Sequence, residues 1–139
     1  EIYLEFGAYN LEFNSMFYLG IDWGESKCGL AIADSENRIA SIYKQVSRSD
    51  IYQEISDLNR KEKIEKIIIG FNENLLKKEK FQKFLAEIEK LEIPIELENE
   101  DFSTQIAQKN LIDADRKNIS KDDDVESARV ILQGWIDRQ

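Results

Sequence analysis

Three acidic residues occupy positions from which side chains can converge on one cleft, because each lies where a predicted strand or helix begins or ends. They are Asp22, Glu100 and Asp124. Asp22 interrupts an apolar run, where an unpaired charge is costly unless a cation or hydrogen bonds compensate it. From the residue pattern alone, Asp22 is either a cap on the turn that follows or a metal ligand.

Glu100 and Asp124 also allow a structural and a chemical interpretation. Glu100 belongs to an acidic run, and such runs usually lie on a solvated edge. Asp124 closes a run of three aspartates at a predicted helix start, where capping explains most such runs. However, Asp124 shares a helix face with three residues that border the buried stripe, namely Ala128, Ile131 and Trp135. We therefore predict that Asp124 faces inward.

The absence of histidine decides which chemistry these acids can perform. Without imidazole, Ser-His and Cys-His catalysis and imidazole-ligated zinc are excluded. A site made of carboxylates alone selects hard divalent cations such as Mg²⁺ or Mn²⁺. Two such ions about 4 Å apart can clamp the attacking and leaving oxygens of a phosphodiester displacement. The spacing of the three acids allows this chemistry but is not diagnostic of it.

Composition limits the class of protein. The 139 residues, 42% of them hydrophobic, are enough for one globular domain with a core. No apolar run is long enough to span a bilayer, and no signal peptide opens the chain. The net charge of −9 argues against sequence-independent binding of polyanions, although a local basic patch can override this average. The single cysteine, Cys28, lies in a predicted buried strand and fits a reducing, cytoplasmic setting.

The first fifteen residues differ from the rest of the chain. Met16 is the only methionine, and residues 1–15 contain three glutamates and no basic residue. We predict that residues 1–15 are a leader or N-terminal extension and that residues 16–139 form the single domain. The alternative is a genuine strand, because apolar and polar residues alternate near the start.

The elements that must position the acids follow from the apolar periodicity. Three short apolar runs separated by turn-forming residues predict a meander of strands at 17–23, 28–33 and 38–46. The first run is apolar on both alternating faces, as expected for a central strand.

From residue 50 onward, helices and strands alternate. We predict a helix capped by Asp50, a buried strand at 67–69, a helix at 75–91, a strand at 95–97, and two helices beginning near Ser103 and after Ser120. The order β-β-β-α-β-α-β-α-α demands parallel pairing of the later strands. The predicted fold class is α/β, with a mixed five-stranded sheet of three antiparallel strands and then two parallel strands, and with helices on both faces.

The residues around Asp22 resemble the opening motif of a known family. Residues 20–31 read Gly-Ile-Asp-Trp-Gly-Glu-Ser-Lys-Cys-Gly-Leu-Ala. This stretch is similar to the pattern D-[FYW]-G-x-x-x-x-G-[VL]-A of YqgF-type Holliday junction resolvases, a ribonuclease-H-like family also tied to maturation of 16S ribosomal RNA. The matching positions are Asp22, Gly24, Gly29 and Ala31.

Three further segments resemble the same family. Residues 67–70 are similar to its aliphatic strand ending in glycine, 99–104 to its D-E-R-[LF]-[ST]-T segment, and 124–133 to its closing aspartate helix. No single motif is specific. Together the four matches occur in order and cover nearly the whole chain from Met16 onward.

The resemblance implies a ribonuclease-H-like fold and a divalent-metal-dependent endonuclease for structured nucleic acid, in pre-16S rRNA processing or Holliday junction resolution. It implies that Asp22, Glu100 and Asp124 are catalytic acids that bind Mg²⁺ or Mn²⁺, with Asp22 bridging two ions. It makes Ser103 and Thr104 candidate substrate contacts. The expected partner is structured RNA or branched DNA and not a membrane, and a homodimer is left open.

Lys27, beside the turn after Asp22, is the best single candidate for a phosphate contact. The other basic residues cluster along predicted helices, and we expect them to form solvated helix faces. They are Arg60, Lys61, Lys63 and Lys66 in one group and Lys77, Lys78, Lys80 and Lys83 in the other.

Departures from the family pattern keep a second function open. The family's Thr-Lys is Glu25-Ser26 here, its Gly-Leu-Pro is Gly-Phe-Asn at 70–72, and its arginine after the second acid is Asp101. These changes remove groups that could contact phosphate. The alternative function is therefore a non-catalytic module that binds nucleic acid or protein. Actin-like ATPases share this core, but they need two such domains and the chain has strands for only one.

Overall fold

The structure, a computed structural model, describes residues 16–99 and 123–139, with the backbone alone for residues 123 and 124. Five strands form one sheet: β1 (Phe17–Asp22), β2 (Lys27–Asp34), β3 (Ala40–Ser47), β4 (Ile64–Phe71) and β5 (Ile95–Asn99). Their order across the sheet is β3-β2-β1-β4-β5. β1 and β2 pair antiparallel, as do β2 and β3, whereas β1 pairs parallel with β4 and β4 with β5. The predicted mixed sheet is confirmed.

Helices cover both faces of the sheet. They are α1 (Ile51–Lys61), α2 (Glu73–Leu76), α3 (Glu79–Glu89) and α4 (Asp123–Asp137). The apolar residues of α1, α2 and α3 share one core cluster with β1 and β4. Those of α4 form a second cluster on the opposite face. None of the helices in the described part of the chain has the length and apolar character that a bilayer crossing requires.

β1 is the central strand, as its two apolar faces predict. Leu19 and Ile21 are fully buried in the cluster that contains α1 and α3. Because side chains alternate along a strand, Tyr18 and Gly20 face α4 instead. Asp22 is the last residue of β1 and follows the same alternation. The carboxylate of Asp22 is therefore on the α4 side of the sheet.

Two helix predictions are corrected by the structure. The helix predicted at 75–91 is divided into α2 and α3, because Lys78 adopts an extended conformation between them. The side chain of Asn72 caps α2 by accepting a hydrogen bond from the Leu75 amide at 2.7 Å. Asp50 does not cap α1 through its side chain. It ends a 3-10 turn that leads directly into the helix.

Several predictions lie outside the described residues. They concern residues 1–15, which were predicted to form a leader, and the helix expected near Ser103. The prediction that residues 16–139 are one domain is compatible with the single sheet, although residues 100–122 are not among those described.

Candidate active site

Asp22 lies at the end of the central strand, where β1 leaves the sheet. It pairs with Gly29 of β2 across the antiparallel ladder and is half-buried. Its predecessor Ile21 is level with Ile69 of β4, which is level with Leu97 of β5. Because β1, β4 and β5 are parallel, all three finish at the same end of the sheet. Asp22 therefore opens onto the edge where ligands bind in sheets of this kind.

α4 crosses β1 at very short range above Gly20. A Cβ atom built on Gly20 would lie 2.7 Å from the Cβ atom of Leu132 and 3.1 Å from the carbonyl oxygen of Ala128. Only a residue without a side chain lets the helix approach this closely. Gly20 therefore sets the separation between α4 and the strand that carries Asp22.

The contacts along β1 show that α4 runs in the opposite direction. The Tyr18 and Trp135 rings are in edge contact, with centroids 4.9 Å apart. Two residues further along the strand, Gly20 lies under Leu132 and Ala128. A two-residue step in a strand and a four-residue step in a helix both advance about 6–7 Å. One more step on each element leads from Gly20 to Asp22 and from Ala128 to the first turn of α4.

The turn after Asp22 is tight and requires glycine. A Cβ atom on Gly24 would lie 2.5 Å from the carbonyl oxygen of Lys27. Trp23 is buried and packs against Phe81 at a centroid distance of 5.4 Å, as expected for a core residue. Lys27 begins β2 with an exposed side chain, level with Ser47 of β3. The predicted phosphate contact thus lies at the same end of the sheet as Asp22.

Basic residues from two distant segments surround this turn. Lys78 forms an ion pair with Glu25, with Nζ 2.7 Å from Oε2. Arg48 donates a hydrogen bond from Nε to the backbone oxygen of Glu25 at 2.6 Å. The pKa of the Glu25 carboxyl is lowered, first by Lys78 and then by the positive charges of Lys80 and Arg48. Lys78 is exposed, as expected of a solvated position, but it pairs with a distant turn, which was not predicted from the sequence.

The sequence carries no local signal for this arrangement. Glu25 and Lys78 are 53 residues apart, and helical periodicity reports only neighbours on the same element. Lys78 also lies inside the one continuous helix predicted at 75–91, so the end of α3 that it occupies is not visible in the sequence.

The acidic run of β5 is not a uniformly solvated edge. Glu98 is only 8% exposed and forms an ion pair with Arg138 near the end of α4. Glu96 forms an ion pair with Lys66 at 3.1 Å. The indole of Trp135, followed by Lys66, lowers the pKa of Glu96, although the indole N–H does not meet the carboxylate in full hydrogen-bond geometry. Glu96 and Glu98 therefore both face α4, on the same side of the sheet as Asp22.

Three predicted site residues, Glu100, Ser103 and Thr104, lie outside the described residues. For Asp124 the structure describes the backbone in the first turn of α4. Within residues 16–99 and 123–139, no group of three or more metal-ligating side chains is found. Asp22 and Lys27 are thus the predicted site residues whose side chains the structure describes.

A cavity of about 570 Å³ lies at the opposite end of the sheet. It is lined by residues that precede or begin the parallel strands, including Met16, Ile64 and Pro94. Because β1, β4 and β5 start there, this cavity is a full strand length away from Asp22. We therefore place the candidate site at the acidic and basic residues around Asp22 and not at this cavity.

Comparisons with known proteins place the chain in a family. A family model described as "RuvX: Holliday junction resolvase" matches residues 16–138. A protein of Maridesulfovibrio salexigens, described as "Putative pre-16S rRNA nuclease", is 32% identical over 135 residues, which cover 88% of this chain and 99% of the relative.

Two solved structures share the fold. RuvC of T. thermophilus in complex with a Holliday junction substrate aligns with a TM-score of 0.57 at 12% identity, over 87% of this chain and 93% of that chain. The large terminase nuclease of phage G20c aligns with a TM-score of 0.58 at 9% identity, over 87% and 82% of the two chains. These likenesses confirm the predicted ribonuclease-H-like fold.

Proposed function

Because the chain belongs to the RuvX family of Holliday junction resolvases and is a nuclease of that family, we propose that it hydrolyses phosphodiester bonds with divalent metal ions held by Asp22, Glu100 and Asp124. The substrate class is structured nucleic acid, either precursor 16S rRNA or branched DNA. The donor chemistry fits Mg²⁺ or Mn²⁺, because all three proposed ligands are carboxylates.

The observation that carries this proposal is the crossing of α4 over Gly20. The closeness of Gly20 to Ala128 and Leu132 gives the distance of the helix from β1, and the contact of Tyr18 with Trp135 gives its direction. Continuing in that direction brings the first turn of α4, with Asp124 in it, towards Asp22 at the strand end. This crossing supports a shared metal site for Asp22 and Asp124, two acids about 100 residues apart in sequence.

The alternation of β5 supports Glu100 as the third ligand. Glu96 and Glu98 both face α4. In the sequence, Glu100 comes two residues after Glu98. It comes directly after Asn99, the last residue of β5. The neighbouring parallel strands are about 5 Å apart, so the ends of β1 and β5 are separated by about 10 Å. Metal ions between these two strand ends are within reach of carboxylates from both.

The chain's own residues position the substrate and the acids. The backbone of Asp22 is held by pairing with Gly29 of β2, and its neighbour Ile21 is paired with Ile69 of β4, so the position of Asp22 at the strand end is set before substrate binds. Lys27, exposed at the start of β2, contacts a phosphate oxygen of the backbone. Ser103 and Thr104 are proposed as further substrate contacts. When bound, Mg²⁺ or Mn²⁺ supplies the Lewis acidity that a site without histidine requires.

We also propose a cytoplasmic location. The single cysteine is fully buried as a free thiol, which fits a reducing compartment.

Both proposed substrates, precursor rRNA and branched DNA, are polyanions. Because the chain is acidic overall, it must bind them through local contacts.

The test is cleavage of a labelled four-way DNA junction and a labelled structured RNA, side by side, with Mn²⁺. The wild type is expected to cleave at least one of them. Asp22→Asn preserves size and removes charge, so it should lower the rate by more than the roughly 10- to 100-fold loss typical of residues around metal ligands.

The matched control is Asp34→Asn, which makes the same change at the end of β2, away from Asp22. The Asp34 side chain accepts a hydrogen bond from the Glu36 amide in a turn, an acceptor role that asparagine keeps, so this variant should cleave like the wild type. Wild-type cleavage by Asp22→Asn would refute the assignment of the site. Binding without cleavage by the wild type would instead favour a non-catalytic binding module.

A further inference from the structure

Arg48, Lys78 and Lys80 form a basic cluster at the β1–β2 turn, in a chain whose net charge is −9. Arg48 reaches the turn from the 3-10 turn after β3, and Lys78 reaches it from just before α3. Lys80, two residues further on, adds a positive charge that lowers the pKa of Glu25. Arg48 is anchored twice, through Nε to Glu25 and through its amide to the oxygen of Ser26 at 2.9 Å. Two segments that are distant in sequence therefore bring positive charge to one short turn.

This basic cluster belongs to the same end of the sheet as the proposed site. Glu25 follows Asp22 by three residues, so their Cα atoms are at most about 11 Å apart. Trp23, between them, packs against Phe81 and Phe84 and fixes the start of α3 beside the turn. A nucleic-acid strand whose scissile phosphate lies at Asp22 extends across this turn, because successive phosphates are only several ångströms apart.

Within this basic cluster the Glu25 carboxylate pairs with Lys78, whereas Arg48 bonds to the backbone oxygen of Glu25. Lys78 and Glu25 side chains are both about half exposed, at 48% and 51%. Ion pairs this exposed contribute little to stability and exchange partners readily. A phosphate oxygen accepts hydrogen bonds from the same donors and carries at least as much charge. The pair therefore resembles a phosphate contact in which an internal carboxylate takes the place of the ligand.

We infer that Arg48, Lys78 and Lys80 bind the phosphodiester backbone next to the cleaved linkage, and that Glu25 occupies this anion site until nucleic acid displaces it. This inference rests on the proposed function for the class of substrate. Displacement involves no covalent step. Glu25 is a competitor of the substrate, and Lys27 on the same turn extends the contact towards Asp22.

The test is fluorescence anisotropy with a labelled four-way DNA junction and a labelled structured RNA, in Ca²⁺ without Mg²⁺ or Mn²⁺, over a series of salt concentrations. Replacing both lysines, in Lys78→Ala/Lys80→Ala, should weaken binding about tenfold. It should also reduce the slope of log affinity against log salt by about 1 to 2, because each phosphate contact contributes roughly 0.7–0.9. Glu25→Gln should strengthen binding several-fold. The two labelled substrates distinguish DNA from RNA as the source of the phosphodiester.

The matched control is Lys61→Ala/Lys63→Ala, which removes the same charge from exposed positions beside the start of β4, at the opposite end of the sheet. It should retain the wild-type salt slope. In cleavage assays the Lys78→Ala/Lys80→Ala variant should raise KM and leave kcat unchanged, because it removes binding common to the ground and transition states.

The inference is overturned if Lys78→Ala/Lys80→Ala binds like the wild type with an unchanged slope, if Glu25→Gln weakens binding, or if the wild type shows no salt-dependent binding. Its failure is distinct from failure of the proposed function. Cleavage that depends on Asp22 but not on the two lysines overturns the inference alone. Salt-dependent binding that needs the lysines, without any Asp22-dependent cleavage, overturns the nuclease site alone.

Discussion

The two faces of the sheet differ in the size of the side chains that the strands contribute to them. The face under α1 and α3 is filled by large side chains, and Leu19, Ile21, Ile67 and Ile69 are all fully buried there. The face under α4 has small residues at four positions of the sheet, Gly20, Ala31, Ala33 and Ala40, beside the larger Tyr18 and Ile68. Ala128 of α4 packs in the same cluster, and we call the contact between these small residues and α4 the thin interface.

Because of this difference, one face contributes most to the stability of the fold, and the other determines the position of α4. Large buried side chains remove much apolar area from water and supply most of the folding free energy. Small residues remove less area, but they allow α4 to lie close against β1. The α4 face therefore determines where the first turn of α4 meets the end of the strand, and the other face holds the sheet together.

The largest expected loss of stability comes from the face with large side chains. Ile88 is fully buried in α3, about 10 Å along the helix from Phe81. Ile88→Ala should lower the free energy of unfolding by about 2–5 kcal/mol because it leaves a cavity. Cleavage per folded molecule, measured well below the melting temperature, should be retained. A large loss of specific activity in the folded variant would mean that this face also positions the site.

Gly20→Ala should cost less stability and more activity. The added methyl group would lie 2.7 Å from the Leu132 Cβ atom, so α4 must move away from β1. Overpacking of this kind costs about 1–3 kcal/mol. Cleavage by the folded protein should fall at least about tenfold, because a displacement of about 1 Å can cost far more.

Gly134→Ala is the matched control for Gly20→Ala. Its Cβ atom would meet only side-chain atoms at 3.5 Å or more, which is ordinary contact. The substitution should leave cleavage unchanged and raise stability by up to about 1 kcal/mol, because alanine is the better helix former. Equal activity of the two glycine variants would remove the positioning role assigned to the thin interface.

The smallest expected effect concerns the ion pair between Glu96 and Lys66. The pKa of Glu96 is lowered in the folded protein by Trp135 and then by Lys66. The stabilisation is therefore present above the unfolded pKa, near 4.5, and is lost as the pH falls through the lower folded value. Both side chains are partly exposed, so Glu96→Gln should cost only about 0.2–1 kcal/mol at pH 7.

Urea unfolding of wild type and Glu96→Gln at pH 7 and pH 3 checks this expectation. The difference between the two proteins should shrink at pH 3, because the stabilisation from the Glu96 charge is progressively lost as the pH falls below the unfolded pKa. A difference that grows towards low pH would contradict the assigned direction of the pKa.

The sheet could be predicted from sequence because its signals are local. The three opening runs and the strand at 67–69 are short apolar segments bounded by turn residues, and the handedness and pairing of crossovers leave few arrangements of such strands. The division of the helix predicted at 75–91 could not be predicted in the same way. No Gly or Pro marks the break at Lys78, and the Asn72 cap becomes visible only once its hydrogen bond is seen.

The site was predictable in part. Asp22 stood out because a charge at the end of a buried strand is unusual, and the structure confirms its position in the central strand. Glu96 is exposed, as a solvated edge predicts, but the burial of Glu98 was not predicted; its ion-pair partner is Arg138, 40 residues later. The basic cluster around Glu25 was also missed. Pairings between distant segments depend on the completed fold, and neither periodicity nor composition encodes them.

The central claim is that Asp22 of β1 and Asp124 of α4 bind the same divalent ions. The most direct measurement is the change in melting temperature caused by Mn²⁺ in four proteins: wild type, Asp22→Asn, Asp124→Asn and the control Asp137→Asn at the other end of α4. An ion that binds only the folded state raises the melting temperature. We predict this rise for the wild type and Asp137→Asn, and its loss in both Asp22→Asn and Asp124→Asn.

Without metal, Asp22→Asn should melt at or above the wild-type temperature, because converging carboxylates repel one another. If Asp124 is only a helix cap, Asp124→Asn will instead lower stability by about 0.3–1 kcal/mol and keep the full response to Mn²⁺. A wild-type rise with Mn²⁺ in both Asp22→Asn and Asp124→Asn would contradict the shared metal site.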